Sequence, residues 1–172
     1  KGKALDLLQA TAVEHLNVSV TGTESYEATE NSDIVIITAG LPRKHGMSRD
    51  DLVAVNTKIV KDVTEQICKY SPNTILIIVS NPLDAMCHVA KLVSGFPKER
   101  IIGMAGVLDT ARMKSFISME CQAAIEDVDC FVLGVHGDTM VPLPRYCSVG
   151  GVPLNKLISE DRIKAIVDRT KN

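Results

Sequence analysis

The sequence has no strong charge of either sign. Its 172 residues carry a formal net charge of −2, which leaves no electrostatic footprint for nucleic acid or for an anionic membrane surface. Long hydrophobic runs are also missing. The apolar stretches are strand-length, far short of the roughly 20 residues that a membrane span needs, and no signal-peptide pattern opens the chain. The five cysteines, Cys68, Cys87, Cys121, Cys130 and Cys147, are odd in number and form no C-x-x-C pair. That argues against a zinc site or a disulfide framework and fits free thiols in a reducing cytoplasm. His15, His45 and His88 show no metal-ligand spacing. There is no internal repeat and no low-complexity tract.

What is present is an ordinary globular composition, 45% apolar and 23% charged, enough for a core and suited to one domain or one and a fraction. Short β-branched runs at 18–20, 33–39, 74–80, 100–103 and 128–135 read as strands. Between the second and third, Leu52, Val55, Ile59, Val63 and Ile67 fall on one face at helical spacing. Further helices are expected over 84–93, 109–121 and 161–170, and another at the very start of the chain. Gly150-Gly-Val-Pro153 reads as a turn between late strands. Alternating strands and helices with continuously apolar strands imply an α/β fold with a parallel sheet covered on both faces. The alternation loosens after about Gly106, where a second domain is expected to begin.

Such sheets bind ligands at the carboxyl ends of their strands. The stretch Leu41-Pro-Arg-Lys-His-Gly-Met-Ser-Arg-Asp-Asp-Leu52 leaves one such end. Arg43 and Arg49 flank Gly46, and a guanidinium grips a carboxylate through two parallel bonds. The pair reads as a mobile clamp for a small molecule with more than one carboxylate. Gly134-Val-His-Gly-Asp138 ends another apolar run. An imidazole there, with an unperturbed pKa of about 6.5, can take and return a proton near neutral pH. Asp109 and Arg112 share a face of one helix. Asp109 could orient His136 through its ring N–H, and Arg112 could hold a carboxylate. Asn81, before Pro82, leaves an amide free at the sheet rim for a substrate oxygen or a cofactor. Thr38-Ala-Gly40 lets a cofactor approach the backbone. Taken singly, each has a plainer reading: a histidine finishing a strand, a surface ion pair, an Asn-Pro turn. It is their shared placement at strand ends that favours a site.

In this order the residues resemble the malate/lactate dehydrogenase superfamily, most closely its lactate-dehydrogenase-like malate dehydrogenase branch. The resemblance runs through Ile37-Thr-Ala-Gly-Leu-Pro-Arg-Lys44, Val79-Ser-Asn-Pro-Leu-Asp84, Gly106-Val-Leu-Asp-Thr-Ala-Arg112 and Val135-His-Gly-Asp138. It implies a Rossmann-type doubly wound sheet over 1–106, followed by the start of an α+β substrate domain over 107–172. It also implies an NAD-dependent enzyme that interconverts malate and oxaloacetate, working as a homodimer or homotetramer in the cytoplasm, with no nucleic-acid or membrane partner and no metal. By position, His136 resembles the proton acceptor and Asp109 its carboxylate partner. Arg112 resembles the residue fixing the carboxylate beside the reacting carbon, Arg49 the one polarising the carbonyl, and Arg43 the specificity residue. Asn81 matches a contact to both substrate and nicotinamide, and Asn56, the Val79 backbone and Gly40 match cofactor contacts.

The sequence departs from the family pattern in three ways. It has no G-x-G-x-x-G turn, which places the first βαβ unit before Lys1, and His45 stands where proline is common. The family's closing elements are also missing, so the segment alone is expected to be inactive. The competing readings are a monocarboxylic 2-hydroxy-acid dehydrogenase, against which Arg43 argues, and an inactive fragment of the same scaffold.

Overall fold

The computed structural model describes residues 2–42, 44–137 and 139–171. Arg43 and Asp138 therefore lie outside the described residues, and for Arg49 only the backbone is described. A helix, α1 (Gly2–Val13), opens the chain. Three parallel strands follow, β1 (Ile34–Ile37), β2 (Ile75–Ile78) and β3 (Ile101–Gly103), hydrogen-bonded in the order β1-β2-β3. The register pairs Ile34 with Ile75 and Leu76 with Ile101. Helices α2 (Arg49–Tyr70) and α3 (Leu83–Ser94) form the crossovers, as strand-helix-strand alternation requires.

α2 and α3 pack against each other on one face of the sheet. Ile37, Leu76 and Ile78 point into that layer and meet Val60, Ile67, Met86 and Ala90, forming a buried cluster. The other face was also expected to be covered. Among the described residues it is open, with Ile34 55% and Ile36 61% exposed. The strands are apolar on both faces, yet their burial alternates with the period of two that the pleat imposes.

α2 starts earlier than the periodicity suggested. Ser48 caps it, accepting a hydrogen bond from the Asp51 N–H, while the Asp51 carboxylate accepts from the Ser48 N–H in return. This reciprocal box satisfies two N–H groups that a helix start leaves without partners, so the helix begins at Arg49. The hydrogen bonds from Ser48 hold the Asp51 carboxyl below its ordinary range.

The second half is built on α4 (Gly106–Cys121) and α5 (Glu160–Lys171), with short antiparallel strands against them. β4 (Val128–Asp129) pairs with β7 (Ser148–Val149), β7 with β8 (Val152–Pro153), and β5 (Val132–Leu133) with β6 (Val141–Pro142). The expected strand over 128–135 is thus broken at Cys130–Phe131, where the chain changes partner from β7 to β6. The β7–β8 hairpin turns on Gly150 and Gly151, at φ +55° and +78°. Two successive positive φ values are the signature of the I′ turn, for which glycine is suited. A second core gathers Met113, Ile117, Val128, Val132, Leu154 and Ile166. α4 and α5 are also joined by Arg162, whose Nε and Nη2 donate to the two oxygens of Glu120 at 2.7 and 2.5 Å.

The expected strand at 18–20 does not form, and residues 16–23 have no regular structure. A β-branched run is a strand only when a neighbour supplies its hydrogen bonds, and no described strand lies beside this one. No helix among the described residues is long and apolar enough to cross a membrane.

Candidate functional site

At the carboxyl end of the parallel sheet the backbone is tied down by two polar side chains. Ser80, just past β2, donates its hydroxyl to the Ala39 carbonyl at 2.6 Å, pinning the end of β1 to the end of β2. Asn56, on α2 and only 1% exposed, reaches the same place from the helix. Its Oδ1 accepts from the Leu41 N–H at 2.8 Å, and its Nδ2 donates to the Leu41 carbonyl at 3.1 Å and the Asn81 carbonyl at 2.6 Å. Asn56 therefore fixes the root of the arginine loop and the Asn81–Pro82 turn together. A Cβ on Gly40 would stand 3.3 Å from the Asn56 amide, so this close approach favours glycine there. The sequence offered no signal for these bonds, because their partners are remote in the chain.

Beyond Leu41 the loop turns at Lys44–Met47. The Met47 N–H donates to the Lys44 carbonyl at 3.1 Å, and Gly46 sits at φ +82°. A positive φ at the third position of a turn is what a type II turn asks of glycine. Gly46 was singled out between the arginines as the residue letting the loop move, and here it makes the turn that separates them. Arg49 occupies the first position of α2.

The second half contributes a histidine–carboxylate pair. Asp109 lies in the first turn of α4, and its side chain is only 2% exposed. Its Oδ2 is 3.0 Å from Nδ1 of His136, whose side chain is 30% exposed. Asp109 Oδ1 is buried and, among the described residues, has no hydrogen-bond partner. His136 stands on a tight loop after β5, between Gly134 at φ +85° and Gly137 at φ +126°. The strand leading to it is anchored on the same helix, with the Val132 N–H donating to Thr110 Oγ1 at 3.1 Å. Gly106 completes the contact, since a Cβ there would meet the Val132 carbonyl at 3.0 Å. Helix and strand thus hold acid and imidazole in register.

His136 opens onto a cavity of about 470 Å³ shared with Asn81, Pro82, Asp84, Leu52 and Val53. That size suits a small ligand. The structure brings Asp109, His136 and Asn81, all expected at a site, to one place. Leu52, Val53 and Asp84 were not anticipated as lining residues; helical spacing had marked Leu52 only as part of an apolar helix face. A hollow of similar volume lies at the amino end of the sheet, around Asp33 and Asn73, but among the described residues no histidine or arginine lines it. Val79 follows β2, its N–H bonded to the Ile37 carbonyl at 2.9 Å. Arg112 sits one turn after Asp109, but it does not line the cavity. Its Nη1 donates to the Thr170 carbonyl at the end of α5, at 3.2 Å. No group of three or more metal-binding side chains occurs among the described residues.

The chain is similar to known proteins over nearly its whole length. Residues 1–103 match the lactate/malate dehydrogenase NAD binding domain, and residues 106–172 match the lactate/malate dehydrogenase alpha/beta C-terminal domain. A malate dehydrogenase of Chloroherpeton thalassium is 58% identical over 99% of the chain and 55% of its own length. One from Bacillus subtilis is 56% identical over the same shares. Among solved structures, malate dehydrogenase from Salinibacter ruber superposes with a TM-score of 0.89 at 52% identity, covering 99% of this chain and 53% of that one. A Cryptosporidium parvum lactate dehydrogenase complexed with lactic acid and nicotinamide adenine dinucleotide gives 0.88 at 40%, covering 99% and 56%. The chain spans about half the length of the relatives it matches. With family models matching residues 1–103 and 106–172, nearly the whole chain, the chain belongs to the lactate/malate dehydrogenase family.

Proposed function

We propose that the whole protein carrying this segment is an NAD-dependent malate dehydrogenase, interconverting malate and oxaloacetate. The observation that carries the reading is the 3.0 Å contact between Asp109 and His136 at the mouth of a cavity shared with Asn81. A histidine half-open to a ligand-sized space, with a buried carboxylate on its far ring nitrogen, is arranged to exchange a proton with a bound hydroxyl.

The residues fit a nicotinamide cofactor. The carboxyl ends of β1 and β2 form the crevice where such sheets take ligands, Gly40 presents bare backbone there, and the Asn81 side chain lies at the rim. NAD, when bound, supplies the acceptor for the hydride. His136 accepts the substrate hydroxyl proton on Nε2, since Nδ1 faces Asp109. Asp109 holds that tautomer and stabilises the imidazolium that results. Arg112, which keeps further donors beyond its bond to Thr170, is assigned the carboxylate beside the reacting carbon. Arg49 is assigned the carbonyl oxygen and Arg43 the distal carboxylate. Asn81 orients the substrate, with its backbone fixed by Asn56, and Val79 contributes backbone to the cofactor crevice. Closure of the loop around Gly46 would expel water and strengthen each charge contact.

We assign the protein to the cytoplasm, a reading that its free thiols support. We further assign it a homodimeric or homotetrameric state, a reading that the exposed Leu5, Leu7 and Val13 on α1 support. The test is NADH oxidation by the full-length protein with oxaloacetate and pyruvate side by side. Oxaloacetate is expected to be preferred by at least about 100-fold in kcat/KM, the discrimination that one desolvated charge pair supplies. Equal rates, or a preference for pyruvate, would replace this reading with the monocarboxylic one.

A further inference from the structure

Two cysteines outside the site face each other across the second core. β4 and β7 pair Val128 with Val149 and Asp129 with Ser148. One step earlier, the Gly150 N–H donates to the Asp127 carbonyl at 2.8 Å. Antiparallel ladders alternate hydrogen-bonded and non-hydrogen-bonded pairs. Counting from 127/150, the next pair after Asp129/Ser148 is Cys130 opposite Cys147, and it falls on a non-hydrogen-bonded position. The backbone of Cys147 agrees: its N–H donates to the Pro144 carbonyl at 3.0 Å, and its carbonyl accepts from the Leu154 N–H at 2.9 Å, both away from β4. Pairs of this kind stand about 4.5 Å apart at Cα, inside the range of roughly 4.4–6.8 Å that a disulfide spans.

Directly opposite residues share a face, and here both side chains enter the same core, with Cys130 5% and Cys147 2% exposed. Both are thiols now. Cys130 donates to the Thr110 carbonyl at 3.5 Å and Cys147 to the Leu143 carbonyl at 3.3 Å. Each sulfur bears on the other's ionisation. The interaction with Cys147, and then burial, pushes the Cys130 thiol up, while the Cys130 thiol holds Cys147 below its ordinary value. Cys147 is accordingly the first to become a thiolate.

We propose that Cys130 and Cys147 are a site of reversible cross-strand disulfide formation, with hydrogen peroxide as the oxidant. The Cys147 thiolate attacks one peroxide oxygen, the O–O bond breaks, and the departing hydroxide takes up a proton as water. Cys147 is then a sulfenic acid. The Cys130 sulfur attacks it, the S–O bond breaks, and the second water leaves with the Cys130 proton. Two thiols and one peroxide give one disulfide and two waters. Both sulfurs are buried, so reaction proceeds through local opening of the β4–β7 ladder and is slow. The bond closes the span 130–147, which contains Gly134, His136 and Gly137, and so cinches the base of the loop bearing the imidazole. It also restricts the unfolded chain.

The test uses the full-length protein. It is oxidised with hydrogen peroxide, unfolded in denaturant with an alkylating reagent, digested and mapped by mass spectrometry. The expected result is a peptide linked through Cys130 and Cys147, lost on treatment with dithiothreitol, and a Tm several degrees higher for the oxidised form. Cys147→Ser should abolish both the link and the Tm rise. If Cys147→Ser does not fold, the linkage map on the unmutated protein decides alone. Alkylation of both residues after oxidation, sulfinic or sulfonic acid at either, or a link from either to Cys68, Cys87 or Cys121 overturns the proposal.

Discussion

Asn56 and Leu41 are joined by a pair of hydrogen bonds, Leu41 N–H to Oδ1 at 2.8 Å and Nδ2 to the Leu41 carbonyl at 3.1 Å. A third bond runs from Nδ2 to the Asn81 carbonyl. One buried side chain thereby ties the loop root to the turn carrying Asn81, which lines the cavity beside His136. Asn56→Ala would leave these groups without a buried partner, at roughly 1–3 kcal/mol for an unsatisfied group. Asn56→Asp should cost at least as much, because its carboxylate would face the Leu41 and Asn81 carbonyls. Denaturant unfolding checks the stability loss. Turnover with oxaloacetate should fall with it, since both ligand-facing loops lose their anchor. Full turnover in Asn56→Ala would show that the loops hold without it.

The Asp109–His136 contact makes a sharper demand. Asp109→Asn keeps size and burial but offers an amide where the ring N–H needs an acceptor, and it removes the charge that stabilises the imidazolium. We expect kcat to fall by on the order of 10²–10⁴, in keeping with similar carboxylate–histidine pairs, with a smaller change in KM. Steady-state kinetics on the full-length variant decides. A loss below threefold would remove Asp109 from the proton chemistry.

Gly106 offers a test of geometry apart from chemistry. A methyl there would stand 3.0 Å from the Val132 carbonyl, which is backbone and cannot rotate away. Gly106→Ala must therefore push β5 off α4 by a few tenths of an ångström. The displacement travels along the strand to His136 and lengthens its contact with Asp109. Small misplacements of catalytic groups are costly, so kcat is expected to drop about tenfold while the protein stays folded. A circular dichroism melt beside the kinetics separates the two effects.

Cys87 titrates unlike an ordinary thiol. Burial, then the nearby Asp84 carboxylate, pushes it up to about 11 from the usual 9.0. In the folded state it keeps its proton where the unfolded chain has lost it. Its contribution to stability is therefore intact below about pH 9 and is lost as pH rises toward 11. Native protein at pH 9 should alkylate slowly at Cys87 and quickly after unfolding, as read by peptide mass. Equal rates would mean that the thiol is open to water.

How much of this was legible beforehand follows a physical line. Polar side chains at strand ends can be read because chemistry requires those residue types there, which is why His136, Asp109 and Asn81 stand out in the sequence alone. Helices with a clear apolar face, such as α2, were legible too, although the capping box moved its start back to Arg49. What escaped depends on partners far along the chain. Residues 18–20 have strand composition but no described neighbour to bond. The run 128–135 is uniformly apolar, yet it breaks where β7 gives way to β6. Arg112 shares a helix face with Asp109 as its spacing required, but the carbonyl of Thr170 that claims one of its N–H groups could not be read from spacing. The alignment of Cys130 with Cys147 likewise emerges only once the ladder register is known.

Arg43 sets the substrate in the proposed function, and the family contains both lactate and malate enzymes on one scaffold, so the fold cannot make that choice. A guanidinium facing the methyl group of pyruvate in a closed, water-free site would be a buried charge without a partner, costing several kcal/mol. The second carboxylate of oxaloacetate removes that cost through two charge-assisted bonds. Glutamine is neutral and tolerates either neighbour less unevenly. Arg43→Gln is therefore expected to lower kcat/KM for oxaloacetate and raise it for pyruvate. The ratio should shift by about 10²–10³, equivalent to the roughly 3–4 kcal/mol of one desolvated charge pair. Asp109→Asn should depress both substrates equally, so paired turnover measurements on the two variants distinguish selection from chemistry. An unchanged ratio in Arg43→Gln would move the specificity determinant elsewhere on the loop, with Arg49 the next residue to replace.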